Sequence, residues 1–462
     1  MQKPFQILFV FLLLGNNTFS QFTGTAHFDS TFTEYFRRDS GGWTAGDATI
    51  SVPLSDNRTI WLFGDSYIVD VDTTDNTLPC LFQVRNCMMV QDSADRDKFT
   101  TYIDSTETGI NRTTFKIPGS NRFELLWPNH GFEYQDTVYI FLEHINDATW
   151  ELIDNYIAKL LMPGLQLFQM VPLPDMGDFN FGRCVLTDSL AGYRYIYGNK
   201  VNWIVWEPYV ARCPLDGLFG PWEFWAGSGW SVNIMMIQKI SDLPVSPSFS
   251  VVEINGKYHL ITQENGYLTC GLGREIYSYE SDNPTGPFIN QTILYTEESK
   301  IDDHYLLTYN AFSHSSFTEN DELLISYNVN DWVDTLEPYI CPSQCKDVWT
   351  DRMDADSYRP KFIRVPISQI TGVDNHDPVT DPGFLFPNPS KPGEIISWKD
   401  DIMKDDQAEI IIQELSGRII LRENIADDHS FAAPGIPGVF IIRINSFSGG
   451  QIIEKLIVYH PY

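Results

Sequence analysis

Between residues 25 and 375 one pattern of polar and apolar positions recurs five times. A small or polar run leads into an apolar strand, a turn rich in Asp, Asn or Gly follows, and an aromatic-rich strand returns. The returns are Thr59-Ile-Trp-Leu-Phe-Gly64, Thr137-Val-Tyr-Ile-Phe-Leu142, Tyr193-Arg-Tyr-Ile-Tyr-Gly198, Lys257-Tyr-His-Leu-Ile-Thr262 and Glu322-Leu-Leu-Ile-Ser-Tyr327, and their first residues lie 78, 56, 64 and 65 positions apart. Third-strand candidates follow at Tyr156–Leu161, Pro208–Arg212, Glu275–Tyr279 and Arg359–Val365, with room for a fourth strand each time. Four antiparallel strands repeated five times predict an all-β chain with a five-bladed β-propeller over residues 25–375. Two unrelated β-sandwiches are the competing architecture, but they require no matched hairpins at such intervals. In a propeller the first strand of each blade lines the central channel. The residues to search for chemistry therefore fall in 43–52, 127–131, 180–183, 246–250 and 308–314.

The pattern changes after a linker at 376–384. Alternation at Glu409-Ile-Ile-Ile-Gln413, turns at Leu415-Ser-Gly-Arg418 and Pro437-Gly438, and strands at Val439–Ile444 and Ile452–Val458 predict a small β-sandwich over 385–462. With Phe386-Pro-Asn-Pro-Ser390 at its head, this order of motifs resembles the C-terminal sorting domain of cargo of the Bacteroidetes type IX secretion system. The resemblance implies that the secretion machinery is a partner. At the other end Lys3, the apolar run Ile7–Leu14 and the small residues Thr18 and Ser20 before Gln21 read as a cleaved Sec signal over residues 1–20. That run is too short to span a bilayer, so no transmembrane anchor is expected. The expected destination is the cell surface or the medium.

Composition narrows the partners. Lys and Arg total 31 against 61 Asp and Glu, a formal charge of −30, which argues against nucleic acid and anionic membranes. The 12 Trp and 22 Tyr fit sugar-stacking surfaces as well as sheet cores, with the core as home for most. Seven cysteines permit disulfides without defining a framework. Cys80 with Cys87, and Cys341 with Cys345, are close enough in sequence for local staples. No zinc spacing, phosphate loop or dinucleotide fingerprint is present, so no metal or cofactor is expected. A structural Ca²⁺ on the propeller axis, near His314, is the one ion weighed, against the preference of Ca²⁺ for oxygen ligands.

Glycoside hydrolysis needs two carboxyl groups across the scissile bond, one protonated and one ionised. Asp47 and Asp65 lead the candidates: each follows a glycine, each sits at the edge of an apolar strand, and both belong to one hairpin. Turn capping by Asp47 and strand termination by Asp65 is the competing reading. Glu143 and Glu264, each just beyond an aromatic return, are further acid candidates, with Glu207 a weaker one. Among inner-face residues Trp43 and Trp127 offer stacking faces, Arg183 and Arg212 offer donors for hydroxyls or a uronate, Asn310 and His314 offer ligand-orienting groups, and Asn129 and His130 are further substrate-binding candidates.

The segments Trp43–Asp47, Ser51-Val-Pro-Leu54 and Arg58-Thr-Ile-Trp-Leu-Phe-Gly-Asp-Ser66 resemble the opening of a family of mostly uncharacterised bacterial propellers related to five-bladed glycoside hydrolases. A similar pair of Gly-Asp elements occurs in propeller endo-arabinanases. Weaker likeness runs through Tyr209–Arg212, Tyr309-Asn-Ala311 and Tyr358-Arg-Pro360. The resemblance implies a secreted glycan-active protein, a hydrolase of an arabinan or other furanoside, with Asp47 and Asp65 as its acid and base. Asn129, His130 and Arg183 stand where family hydrolases present an acid on a separate blade. That departure keeps a non-catalytic, carbohydrate-binding surface propeller as the alternative.

Overall fold

A computed structural model describes residues 25–459 apart from 106–110, 118–123, 147, 150, 203–204, 265–272, 302–303, 332–343, 373–384, 389, 399–406, 415–418, 427–429 and 447–450. The expected signal segment and linker lie outside the described residues. The chain divides into two compact units, 1–374 and 375–462. Both are nearly all β among the described residues, and no helix there is long and apolar enough to cross a membrane.

The second strands of the larger sheets in the first unit begin at Thr59, Thr137, Tyr193, Lys257 and Glu322, the residues at which the sequence pattern returns. Each pairs antiparallel with the strand before it. Those first strands are Ile50–Pro53, Glu124–Tyr134, Asn180–Asp188, Ser250–Ile254 and Leu307–Glu319. Third and outer strands follow in chain order in the first four sheets. The fifth sheet takes its outermost strand from the other end of the unit, where His27–Phe28 pairs with Arg364 and Ile363.

Period-two alternation explains how the sheets meet. On Thr59–Phe63, Ile60 and Leu62 enter a core shared with Val138, Ile140 and Leu142 of the second sheet. Trp61 and Phe63 point the other way, into a core shared with Leu324 and Phe362 of the fifth. The same division joins second to third sheet through Phe141, Phe181 and Ile196, third to fourth through Tyr197, Val251 and Leu260, and fourth to fifth through Ile261, Ile276 and Ile325. Burying one such side chain contributes about 1.5–3 kcal/mol. A sheet apolar on both faces is satisfied only between two others. Accordingly each first strand lies against the first strand of the next sheet, and Leu307–Glu319 lies against Ile50–Pro53.

The N-terminal helix Ser30–Tyr35, capped by Asp29 through a 2.8 Å bond from the Phe32 amide, drives Phe32 and Phe36 into the seam between fifth and first sheets. Arg364 Nε donates to the same Asp29 at 2.8 Å. A crosslink reinforces this region. Cys80 is bonded to Cys345, 265 residues away, and the neighbouring Thr77–Pro79 pairs with Arg352–Asp354. This replaces the local staples expected from sequence: Cys87 is a buried free thiol on the third strand of its sheet, and Cys341 lies outside the described residues. In the second unit, Leu385, Ile396 and Phe431 of one sheet share a core with Ile410, Ile442 and Leu456 of another.

Because Cys80–Cys345 spans so long a loop, replacing both cysteines with serine is expected to cost about 2–5 kcal/mol of stability. Denaturant unfolding with and without reductant checks this, and the reduced wild type should match the double variant.

Candidate active site

The end of the second strand in the first sheet lies beside the segment that enters its first strand. Ala45 pairs with Tyr67 and Gly46 with Ser66. Beyond them the Asp47 amide donates to the Asp65 carbonyl at 3.2 Å, and the Gly64 amide donates to the Asp47 carbonyl at 2.9 Å. Residues 64 and 65 thus both face Asp47, a bulge-like register that re-aims side chains. The glycines are required by close approach. A Cβ on Gly64 would stand 2.4 Å from Asp47 Oδ1, and one on Gly46 would stand 2.6 Å from both Ser66 Oγ and Trp43 Nε1. Immediately after Asp47, Ala48 and Thr49 take φ of 75° and 50°, which costs on the order of 1–3 kcal/mol each. The fifth sheet holds this strained turn: Ser326 Oγ donates to the Thr49 carbonyl at 3.2 Å and Asn328 Nδ2 to Thr49 Oγ1 at 3.0 Å.

Four side chains fix the two carboxyls. The hydroxyls of Tyr358 and Tyr309 donate to Asp47 Oδ2 at 3.2 and 3.3 Å. Arg85 Nη1 donates to Asp65 Oδ2 at 3.2 Å, and Trp127 Nε1 donates to Asp65 Oδ1 at 3.4 Å. Asp65 is buried, while Asp47 keeps partial solvent access with protein on most sides. Burial pushes Asp47 up to about 6 against the pull of the tyrosine hydroxyls. Burial, then the neighbouring charge of Asp47, pushes Asp65 up to about 8; Arg85 and Trp127 oppose this and lose. Both carboxyls are thus raised, and as neighbours they titrate as a pair that holds a proton to higher pH than separate exposed carboxyls would.

Trp127 is thus at the site, but Trp43 is not a sugar platform. It is wholly buried against Phe36 and Phe63. Glu143 is clamped by Arg183, whose Nη1 and Nη2 donate to its two oxygens at 2.9 and 2.8 Å, and it also accepts from Asn180 Nδ2. Asn129 Oδ1 accepts from Arg183 Nη1 at 2.8 Å. Glu143, Arg183 and Asn129 therefore form one buried ion-pair cluster, reached from Asp65 through Trp127, the cross-strand neighbour of Glu143. Arg183 is committed to this pair and so does not read a uronate.

Glu264 accepts from the Gly273 amide at 3.1 Å, next to residues outside the described set. Glu207 accepts from the Tyr209 hydroxyl and faces Lys239. Arg212 stands on the third strand of its sheet, bonded to Glu223 at 2.8 Å and flanked by the rings of Tyr193 and Trp230; it does not reach an inner-strand start. His314 bonds Ser51 Oγ through Nδ1 at 2.8 Å and Ser326 Oγ through Nε2 at 2.9 Å. Burial holds it down at about 3 and therefore neutral. Both nitrogens are spent on serine hydroxyls, so it is a core residue and offers nothing to an axial Ca²⁺. His130 Nδ1 accepts from the Val185 amide at 2.9 Å and is held down at about 4, again by burial. Asn310 occupies a bulge at φ 57°, beside Tyr309.

Arg85, Tyr309 and Tyr358 were not singled out from sequence. The tyrosines lie in segments carrying the family likeness, which was the available signal. Arg85 sits between two cysteines and carried none. A cavity of about 580 Å³ lies near the opposite ends of the inner strands, lined by His130, Glu133, Thr187, Val252 and Ser316. It is separate from the carboxyl pair.

The chain belongs to the family described as a domain of unknown function, DUF5005, whose model matches residues 29–379. No curated protein matches it. Among solved structures it is similar to a presumptive hydrolase from Bacteroides ovatus ATCC 8483, with 21% identity, a TM-score of 0.61, and 77% of this chain and 93% of that one covered. This likeness establishes a shared fold. An α-L-arabinofuranosidase from Podospora anserina matches at 12% identity and TM-score 0.37, covering 71% and 91%. An exo-1,5-α-L-arabinanase from a bovine ruminal metagenomic library matches at 9% and 0.38, covering 71% and 94%.

The raised Asp65 has a thermodynamic signature. A carboxyl whose folded value lies above its unfolded one, here about 8 against 3.8, loses stability for the fold as pH rises between the two. Asp65→Asn removes that loss. The variant should gain a few degrees in Tm over wild type as pH climbs from 4 to 8, the gain levelling off above 8 and vanishing below 4. Melting curves across that range check it, and a gain independent of pH would contradict the assignment.

Proposed function

We propose that this DUF5005 member is a secreted glycoside hydrolase in which Asp65 is the proton donor and Asp47 the carboxylate that attacks carbon or activates water. One observation carries the reading: two adjacent carboxyls, Asp65 buried and Asp47 with partial solvent access, are held by different partners and both are raised by their surroundings, which suits the division of labour that glycosidic cleavage requires. Five sheets stacked by their inner strands support a five-bladed propeller, with the acids at the edge where the first strands begin. The second unit, with two sheets around one core, is consistent with a β-sandwich acting as a type IX sorting domain. Together with the N-terminal segment it would deliver the protein to the cell surface or medium, where a polysaccharide such as an arabinan or other furanoside is the expected substrate.

The chemistry follows from the neighbours. Two tyrosine hydroxyls on Asp47 stabilise its negative charge and fix its orientation. Burial keeps the proton on Asp65 until a leaving oxygen arrives, and Trp127, partly exposed beside it, offers a ring edge to the sugar. Immobilisation of Glu143 by Arg183 favours the rival reading, a propeller that binds glycans without turnover, because it withholds a third acid.

Reducing-end release by the mature chain from arabinans, arabinogalactans, fructans, xylans and mannans separates the two. Asp47→Asn and Asp65→Asn should each lower release at least a hundredfold with the fold intact; full activity in both would sink the assignment. For the active protein, kcat/KM should be bell-shaped, rising through about pH 6 and falling through about pH 8. Arg85→Leu should move the alkaline limb to higher pH, because the guanidinium charge is one of the influences holding Asp65 down.

A further inference from the structure

The chain leaves the carboxyl pair at Asn330 and returns to it at Tyr358. Asn330 Nδ2 donates to the Tyr309 hydroxyl at 3.3 Å, Tyr309 bonds Asp47, and further along Tyr358 bonds the same carboxyl. Between these points residues 344–350 are pinned from several sides. Cys345 is bonded to Cys80, whose amide donates to the Asp351 carbonyl at 3.1 Å. The amides of Lys346 and Asp347 donate to Asp351 Oδ2 at 3.0 and 2.8 Å, and the Gln344 amide donates to Asp331 Oδ2 at 2.9 Å. Val348 packs on the apolar cluster of Tyr358, Ala45 and Tyr67, the last two standing two residues from Asp47 and Asp65. The next residue turns outward. Trp349 is 79% exposed, the one exposed tryptophan among the described side chains. Its amide donates to Asp347 Oδ1 at 2.9 Å, which keeps an exposed carboxylate beside the indole. A single apolar residue on a surface needs no explanation, but here the backbone around the ring is already fixed before any ligand arrives.

We propose that Trp349 is the stacking platform of a distal glycan subsite, on which one sugar unit of a polysaccharide lies while another unit of the same chain occupies the carboxyl pair. The inference rests on reading that pair as the glycan site and narrows the substrate to an uncharged polymer. A sugar ring has the matching chemistry: a face of C–H groups that lies flat on the electron-rich indole, rimmed by hydroxyls that donate to a carboxylate such as Asp347. The side chains that bond the two carboxyls include Arg85, Trp127, Tyr309 and Tyr358, and Trp349 is not among them. It therefore adds hold on the chain without touching the bond to be cleaved. Continuity of this segment with Asp47 at both ends favours the polysaccharide over a protein partner as the occupant. With Asp347 alongside and an overall formal charge of −30, a uronate chain is repelled where a neutral one is not.

Affinity electrophoresis of the full mature chain tests this, in gels containing arabinan, arabinogalactan, fructan, xylan, mannan or polygalacturonate. The Asp47→Asn, Asp65→Asn double variant serves as parent, so that binding is read without turnover. At least one neutral polysaccharide should retain it, and polygalacturonate should not. Adding Trp349→Ala should weaken that retention about tenfold, and Trp349→Phe, which keeps a smaller ring, should fall between. Because the indole is exposed, Trp349→Ala should melt at the parent's temperature, which separates lost stacking from lost fold. Equal retention of parent and Trp349→Ala in every gel that holds the parent, or retention by polygalacturonate alone, overturns the proposal. Retention by none of the six also overturns it and leaves the indole to a protein partner. The two claims fail separately. Retention that falls with Trp349→Ala, with no reducing ends released by wild type, keeps the platform and removes the hydrolase. Release of reducing ends at the same KM by wild type and Trp349→Ala removes the platform and keeps the hydrolase.

Discussion

The first unit is organised by the fact that its sheets are apolar on both faces. An antiparallel sheet with one wet face could end in solvent; a sheet carrying Ile60 and Leu62 on one side and Trp61 and Phe63 on the other cannot. Each must lie between two neighbours, and with five of them the inner strands come together. Everything at the candidate site descends from that. The carboxyls of Asp47 and Asp65 are raised because protein surrounds them, and much of that protein comes from other sheets: Trp127 from the second, and Tyr309, Ser326 and Asn328 from the fifth, with Tyr358 just before its third strand.

How much of this was legible depended on whether a residue's role was local. The strand starts at Thr59, Thr137, Tyr193, Lys257 and Glu322 could be read because alternation and turn chemistry act over a few residues. Asp47 and Asp65 could be read because each glycine beside them reports a close approach within one hairpin, borne out by the 2.4 Å separation that a Cβ on Gly64 would have from Asp47. Exposure was not legible. Trp43 and Trp127 look alike in sequence, yet one is sealed behind Phe36 and Phe63 while the other faces an acid. His314 resembled a ligand-orienting group until its two serines, 263 and 12 residues away, were seen to bond both nitrogens. Arg212 was legible as a third-strand residue, but its partners Glu223, Tyr193 and Trp230 were not, because the repeat gives strand order while side-chain partners belong to tertiary structure. The Cys80–Cys345 bond, joining opposite ends of the unit, was similarly beyond local pattern.

The cluster of Glu143, Arg183, Asn129 and Asn180 shows a different use of the same region. Two charges removed from water are retained because the guanidinium meets both carboxylate oxygens and two amides complete the shell. One buried acid is thereby immobilised against a cation while another, a cross-strand step and an indole away, has its acidity weakened by burial. The contrast lies in their partners: bidentate neutralisation for Glu143, a single longer contact from Arg85 for Asp65.

The outer strand of the fifth sheet comes from His27–Phe28, and Asp29 meets Arg364 across 335 residues of chain. Sequence-distant contacts of this kind form late, since the entropy of closing so long a loop is spent before any contact rewards it. The seam that joins the two ends of the unit is also the one beside Asp47, for Tyr309 and Tyr358 approach it from the fifth sheet. In a chain still short of that closure, the two aspartates are hydrated carboxylates of ordinary acidity, both ionised. The raised acidity constants of the two carboxyls thus belong to the finished fold alone.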